Sequence, residues 1–399
     1  MACNIGANDV ANAMGTSVGS KTLNYKQAVM IAAVAEFAGA FLVGGHVSDT
    51  VRKGMLDPMA FSGMPLYMVY GMIAALVASS IWLNLASYLG WPVSTTHAII
   101  GGVTGFGIAF GGMDIINWPK MGNVVLSWLV SPLLGGFFSF VMFRFIQNRI
   151  FKNRNPVAQA KIIVPWLVFL VIFILVNAII YKGLKNLSLD MPFSKAAVIA
   201  CFLAILLGWI SRILVRKIIV PQNAKIAEQY QLTENVFKYL QTITAFYVAF
   251  AHGANDVANA VGPLAAVSSI LSTGEVSMKV EMPLWILAMG GTFIVVGLLI
   301  WGVKVMQTVG QKITEITPSR GFSAEFGAAT VVLICSKLGL PISTTHTLVG
   351  SVIGVGLARG LAQLNLRIIK TIIISWFATV PFTMILSMIL FKSIVFFIG

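Results

Sequence analysis

The octapeptide GANDVANA occupies Gly6 to Ala13 and recurs letter for letter at Gly253 to Ala260. A helix through either copy puts its two asparagines four residues apart on one face, Asn8 with Asn12 and Asn255 with Asn259, with Asp9 and Asp256 adjacent. Carboxylate and amide oxygens are hard donors, suited to Na+ and not to soft metals. Glycine and alanine at the remaining positions let a second helix approach closely. A packing seam held by asparagine hydrogen bonds accounts for one such copy. Two buried aspartates in a chain that is 58% hydrophobic point instead to paired cation sites, because an intramembrane acid is costly and generally functional.

A second motif is also duplicated, as PVSTTH at Pro92–His97 and PISTTH at Pro341–His346. Ser94 and Ser343 stand where a helix N-cap would be, followed by Thr95 and Thr96 in one copy and by Thr344 and Thr345 in the other. Hydroxyls and unpaired backbone N–H groups then converge at the positive end of a helix dipole, which makes an anion site without Arg or Lys. Capping alone explains the serines but not the paired threonines. His97 and His346 are candidates to brace these tips or to carry protons. Glu36 and Glu325 are the other acids in apolar stretches, candidates for an ion site or a gate, and they do not occupy matching positions in the two copies. Lys337 is a candidate partner for one of these acids or lies at the mouth of the second motif. His46 and His252 read as helix-end residues that carry little information.

The elements that hold these motifs must be membrane helices. Only 10% of the residues are charged, and apolar stretches long enough to span a bilayer core of ~20 residues run through Gln27–Ser48, Leu66–Leu89, Val124–Ile146, Ile162–Tyr181, Ala196–Val215, Thr242–His252 into the second octapeptide, Leu284–Val303 and Ile368–Phe397. They lack the alternation of a β-barrel, so an all-α polytopic membrane protein in the cell (inner) membrane is expected. The net charge of +14 is spread over short loops, which argues against nucleic acid as a partner. Cys3, Cys201 and Cys335 are too scattered for a disulfide framework or a zinc site. The opening MACNIGANDV has neither the basic nor the apolar region of a cleavable signal. Because only MACNI precedes the first octapeptide, where TITAFYVAFAH precedes the second, the expectation is either a half-length first helix or residues ahead of Met1 that complete the span.

Successive landmarks recur 247, 249 and 248 residues later: Gly6 and Gly253, Ser94 and Ser343, Trp128 and Trp376. The chain therefore reads as a first repeat at 1–149 with its tip at 92–97, inserted scaffold helices and a cytoplasmic loop at 150–235, and a second repeat at 236–399 with its tip at 341–346. Each STTH motif follows an apolar helix and a proline and leads into a glycine-rich stretch, the pattern of a re-entrant hairpin. With the hairpins counted as no net crossing, 18 of the 27 Lys and Arg fall inside, eight outside and Lys337 within the second hairpin. This bias places both termini outside and makes the two hairpins enter from opposite sides. Two inverted-topology repeats with a midplane site are the architecture of a secondary transporter. Two aspartates and an anion cannot share a low-dielectric midplane without cations between them, so each half is expected to supply one cation site flanking a shared anion.

The paired GANDVANA and P-x-S-T-T-H motifs resemble the inorganic phosphate transporter (PiT) family of sodium- or proton-coupled phosphate symporters, over almost the whole chain. The resemblance implies a homodimeric carrier of prokaryotic type that moves inorganic phosphate with Na+ as coupling ion, with no other cofactor. It maps phosphate binding onto Ser94, Thr95, Thr96, Ser343, Thr344 and Thr345, and Na+ binding onto Asn8, Asp9, Asn12, Asn255, Asp256 and Asn259, with Glu36 and Glu325 as the family's acidic positions. The alternatives are a proton-coupled phosphate carrier or a sulfate permease. Less favoured is an anion channel, against which the buried acids argue. An enzyme is not expected, since no nucleophile and base stand at a fixed spacing.

Overall fold

In a membrane every backbone N–H and C=O must find its partner within the segment, and the chain accordingly folds almost entirely as helix. The structure, a computed structural model, describes all residues except 46–54, 184–190, 222–223, 277–281, 302–312, 361–363 and 399, and the side chains of 10–12, 182–183 and 301. His46, the Asn12 side chain and the loop cations Arg52, Lys53, Lys185, Lys279, Lys304 and Lys312 thus lie outside the described residues.

Among the described residues there are twelve α-helices: α1 (Ala2–Gly19), α2 (Tyr25–Val43), α3 (Pro65–Leu89), α4 (Thr95–Gly111), α5 (Trp118–Ile146), α6 (Pro156–Ala178), α7 (Phe193–Arg216), α8 (Ile226–Thr273), α9 (Leu284–Trp301), α10 (Pro318–Lys337), α11 (Thr344–Arg359) and α12 (Leu366–Ile398). Six of them, α2, α3, α5, α6, α7 and α12, are long and apolar enough to cross a membrane. The expected hairpins are present as α3–α4 and α10–α11. Gly90 and Gly339, equivalent positions in the two copies, have φ of 70° and 67°. That left-handed geometry is open to glycine without strain, and it turns the chain out of the first hairpin helix toward Pro-x-Ser. Ser94 and Ser343 then cap α4 and α11, their hydroxyls accepting from the N–H of His97 (3.2 Å) and His346 (3.1 Å).

Each hairpin packs its second helix on the last helix of the other half. Gly101 and Gly105 of α4 lie against the backbone of Val380 and Met384 in α12, while Gly350 and Gly354 of α11 lie against Pro132 and Gly136 in α5. The signature helices exchange in the same way. Gly6 of α1 meets the backbone of Ile294 and Leu298 in α9, and Gly253 of α8 meets the backbone of Glu36 in α2. Small residues at such crossings bring helix axes close, which is how membrane helices gain packing without a hydrophobic driving force between them.

The stretch between the expected spans Ala196–Val215 and Thr242–His252 is mostly helix among the described residues. α8 begins at Ile226, not near Thr242, and runs unbroken to Thr273, so the expected boundary at 235 falls inside one helix. This first stretch is amphipathic, not uniformly apolar, burying Thr233, Val236, Phe237 and Leu240, and a search for apolar runs passes over such a pattern. It also fixes α10: Glu234 accepts from the Ser319 N–H (2.9 Å), the Ser319 hydroxyl (2.8 Å) and the Thr317 hydroxyl (2.8 Å) at the start of that helix. Likewise α5 continues through a π-turn at Gln147–Phe151 and α6 starts at Pro156, leaving little loop between the expected spans Val124–Ile146 and Ile162–Tyr181.

Candidate ion and anion site

The two signature helices and the two hairpin tips meet in the buried interior. Asn8 and Asn255 each hold the loop of their own hairpin. The Asn8 amide donates to the Ser87 hydroxyl and the Trp91 carbonyl, both at 3.1 Å, and its oxygen accepts from the Val93 N–H at 3.3 Å. Asn255 repeats the pattern, donating to the Ile342 carbonyl (3.1 Å) and accepting from the Ser336 hydroxyl (3.3 Å). Its amide also donates to Asp256 Oδ1 at 2.8 Å. Both asparagines therefore position the tips through backbone and hydroxyl contacts. Asn259, one turn further along α8, crosses to the other tip and donates to the hydroxyls of Thr95 and Thr96, both at 3.1 Å.

The tips are stitched together by exchanged bonds. Thr96 donates to the Ile342 carbonyl at 3.0 Å, and the Thr345 hydroxyl lies 3.2 Å from the Val93 carbonyl, the longer of two contacts that share its one hydrogen. Indole N–H groups repeat the exchange, Trp128 to the Pro341 carbonyl (3.4 Å) and Trp376 to the Pro92 carbonyl (3.2 Å). His97 lies on the Trp128 ring and His346 on the Trp376 ring, with centroids 3.7 and 3.6 Å apart, and the two imidazoles meet at 4.3 Å. The histidines and tryptophans thus fill the seam between the tips. In the sequence the tryptophans serve only as landmarks of the repeat, because nothing in one chain segment says which carbonyl of the other half an indole will reach.

The acids gather beside this seam. Thr345 donates to Asp9 Oδ1 (2.8 Å) and Thr344 to Asp256 Oδ2 (2.5 Å). Between the two aspartates stands His252, the residue to which the sequence assigned little weight. Its Nδ1 is 2.7 Å from Glu36 Oε2, and its Nε2 is 2.7 Å from Asp256 Oδ2 and 3.9 Å from Asp9 Oδ2. The 2.7 Å approach to Asp256 becomes an ion pair when the imidazole is protonated. A sequence signal existed: His252 falls where the first copy has Ile5, an ionisable group replacing an apolar one just ahead of the signature.

Asp9, Glu36, Asp256 and His252 are each at most 3% exposed. Three ionised carboxylates around one imidazole would leave an excess of negative charge whichever way the imidazole is protonated, and burial at low dielectric makes that excess expensive unless a cation or a proton offsets it. One ligand atom from each of Asp9, His252 and Asp256 falls within a 4.8 Å group. A cavity of about 10 Å³, measured as room for the centre of a water-sized sphere, opens among Asp9, His252 and Thr344, enough for one water or one small ion. The donor set of carboxylate and hydroxyl oxygens suits a hard cation, and the imidazole lies beside it as a bridge from Glu36.

Residues 5–387 match the model of the phosphate transporter family. The chain belongs to that family. It is 47% identical to a Pyrococcus furiosus protein whose name contains the words phosphate permease, over 100% of this chain and 95% of that one. It is 44% identical to the chloroplastic inorganic phosphate transporter 2-1 of Arabidopsis thaliana, over 96% and 68%. A solved structure, the sodium-dependent phosphate transporter, superimposes with a TM-score of 0.92 at 43% identity, covering 100% of this chain and 97% of that one.

The remaining candidates of this phosphate transporter take separate places. Glu36 joins the acid cluster, whereas Glu325 sits in a cage of its own. Its Oε1 accepts from Thr16 (2.7 Å), Ser17 (2.6 Å) and Gln241 (3.0 Å), and its Oε2 accepts from Thr244 (2.6 Å). The cage ties α1, α8 and α10 into one block, with Gln241 accepting in turn from Ser20 at 2.8 Å. Lys337 stands 5.6 Å from the ring centres of both Tyr181 and Phe193, a cation–π placement at the end of the hairpin helix and not a partner for either glutamate.

Proposed function

We propose that this phosphate transporter couples inward movement of Na+ to that of inorganic phosphate, by alternating access around a site between the two hairpin tips. The observation that carries the reading is the placement of the two aspartates against the tip hydroxyls, Asp9 on Thr345 and Thr95 and Asp256 on Thr344. Cation oxygens and anion donors are thereby in direct hydrogen-bond contact, and each ion lowers the cost of bringing in the other. The solved sodium-dependent relative supports Na+ as the coupling ion. Phosphate would take the hydroxyls of Ser94, Thr95, Thr96, Ser343, Thr344 and Thr345 and the N–H groups at the starts of α4 and α11. Na+ would take Asp9 and Asp256, with Asn8, Asn255 and Asn259 as neighbouring amides and Asn12 assigned by the sequence motif alone.

The exchanged tip contacts, Thr96 with the Ile342 carbonyl and Thr345 with the Val93 carbonyl, are then the ones that must part for access from one side. In this reading the two repeats have inverted topology, both termini lie outside the cell (inner) membrane, the inserted helices act as scaffold and the carrier is a homodimer. The test is labelled phosphate uptake into proteoliposomes under an inward Na+ gradient or a proton gradient of equal driving force, with sulfate as competitor. Uptake driven by Na+ and indifferent to sulfate supports the proposal; uptake driven only by protons, or removed by sulfate, overturns it. Proton coupling is the second reading, favoured by one observation: His252 lies between Glu36 and Asp256, where a proton would meet the same electrostatic need as Na+.

A further inference from the structure

Away from the acid cluster, the inserted helices α6 and α7 pack along each other yet leave a groove of about 700 Å³ between them. Its walls are apolar and aromatic, with Trp166 and Phe169 on α6 and Ile205 and Trp209 on α7. Its floor is formed by Pro165 and Gly208, where a Cβ on the glycine would stand 3.2 Å from the Pro165 carbonyl oxygen. Trp166 and Trp209 are 69% and 60% exposed, so the groove opens outward, toward what a membrane-spanning chain presents to lipid.

One end is cationic. Lys161, Arg212 and Arg216 line it, and no carboxylate is among the lining residues. Lys161 Nζ donates to the Ile218 carbonyl at 2.6 Å, which anchors that ammonium at the rim. The lining positions of α7 run from Cys201 to Arg216, about 22 Å at the helical rise. One leaflet with its headgroup region measures roughly the same. A groove with cations at its headgroup end and aromatic walls along the acyl region matches an amphiphile with one anionic head. A second copy of the chain fits less well, since docking two such faces would bring a second set of three cations toward the first.

We propose that the α6–α7 groove binds one anionic phospholipid, its phosphodiester held by Lys161, Arg212 and Arg216 and an acyl chain laid between Trp166 and Trp209. The basic end lies on the side that the charge bias of the loops makes cytoplasmic, the leaflet in which anionic lipids attract basic segments.

The experiment uses the full chain in nanodiscs of equal phosphatidylglycerol and phosphatidylcholine, followed by mild detergent extraction and native mass spectrometry. The wild type should retain one phosphatidylglycerol per protomer, and the double variant R212Q/R216Q should retain roughly tenfold less. Phosphatidylcholine should stay at the level of the variant in both. Equal retention of the two lipids by the wild type, or of phosphatidylglycerol by wild type and variant, overturns the proposal. A variant with Cys201 as its one cysteine (C3S/C335S) supplies the other control. Oxidative cross-linking of two copies through Cys201 in native membranes would mean that a second chain closes the groove, and would also overturn it.

Discussion

Thr345 donates its hydroxyl hydrogen to Asp9 Oδ1 across 2.8 Å, joining residues 336 apart in the chain. Asp256 receives its hydroxyl from Thr344 within its own half. Both signature acids are therefore tied to the second tip, and Asp9 is also hydrogen-bonded to Thr95 of the first tip, where Thr95 and Thr96 receive the Asn259 amide. Thr345→Val should raise the half-saturating Na+ concentration by roughly tenfold, since a hydrogen bond to a charged group contributes ~1.5–3 kcal/mol. The check is the Na+ dependence of phosphate uptake in proteoliposomes. A variant with altered phosphate affinity and an unchanged Na+ requirement would assign Thr345 to the anion alone.

Asp9→Asn and Asp256→Asn should each abolish cation-driven uptake while leaving the fold assembled. Either change removes one negative charge from a cluster whose burial demands cations, and it replaces an acceptor of a threonine hydroxyl with a group of the same shape. Uptake and the melting temperature are measured side by side. Coupling that survives either substitution would refute the assignment of that residue.

Glu325 offers a different outcome. Its carboxylate accepts four hydrogen bonds from Thr16, Ser17, Gln241 and Thr244, and an amide has only one oxygen to accept with. Glu325→Gln should destabilise the protein by ~1–3 kcal/mol, because at least one buried donor is left facing an NH2 group. Thermal melting in detergent measures the loss. A variant of wild-type stability that still loses Na+ dependence would move Glu325 from scaffold to ion site.

Much of this architecture was legible because the chain states its motifs twice. The duplicated octapeptide, and STTH tips that each follow an apolar helix and a proline, located the hairpins. Two features were not legible, for physical reasons. The start of α8 at Ile226 is amphipathic and packs against protein, so no apolar run announces it. The role of His252 depends on Glu36, a residue of the other half brought beside it because Gly253 lets α2 approach α8, and a contact between distant segments leaves no trace in local spacing. Asn8 and Asn255 show the converse. Their placement on one helix face with Asp9 and Asp256 was readable, but their grip on the hairpin loops was not.

Outside the membrane, Glu315 bridges Arg320 (3.1 Å) and Arg359 (3.3 Å), and the nearby guanidinium of Arg320, then that of Arg359, hold its carboxyl below the usual range. A depressed carboxyl stabilises the fold above its ordinary value of about 4.3 and loses that contribution as the pH falls through the lowered value. At 75% exposure of the glutamate, solvent screens the bridge, and the contribution is ~0.2–1 kcal/mol. Glu315→Gln should therefore lower the melting temperature slightly at neutral pH and low salt. The difference from wild type should vanish in strong acid or in about 0.5 M salt, where the Debye length is only a few ångströms. A difference that grows on acidification would contradict this bridge.

Gly253 marks the close approach on which the His252–Glu36 contact depends. A Cβ there would run into the Glu36 carbonyl group and Cα, which are backbone atoms and cannot rotate aside. Gly253→Ala should push α8 from α2, cost ~1–3 kcal/mol as an overpacked site, and part His252 from Glu36 in the same movement. Gly122 is the matched control, a helical glycine of α5 where an added methyl would meet nothing within 4 Å, so that alanine should stabilise by ~0.5–1 kcal/mol through its helix propensity. The two variants must therefore shift the melting temperature in opposite directions, and only Gly253→Ala should also change the Na+ dependence of uptake. Equal shifts, or a stable Gly253→Ala variant with unaltered coupling, would mean that the helices can part without disturbing the acid cluster.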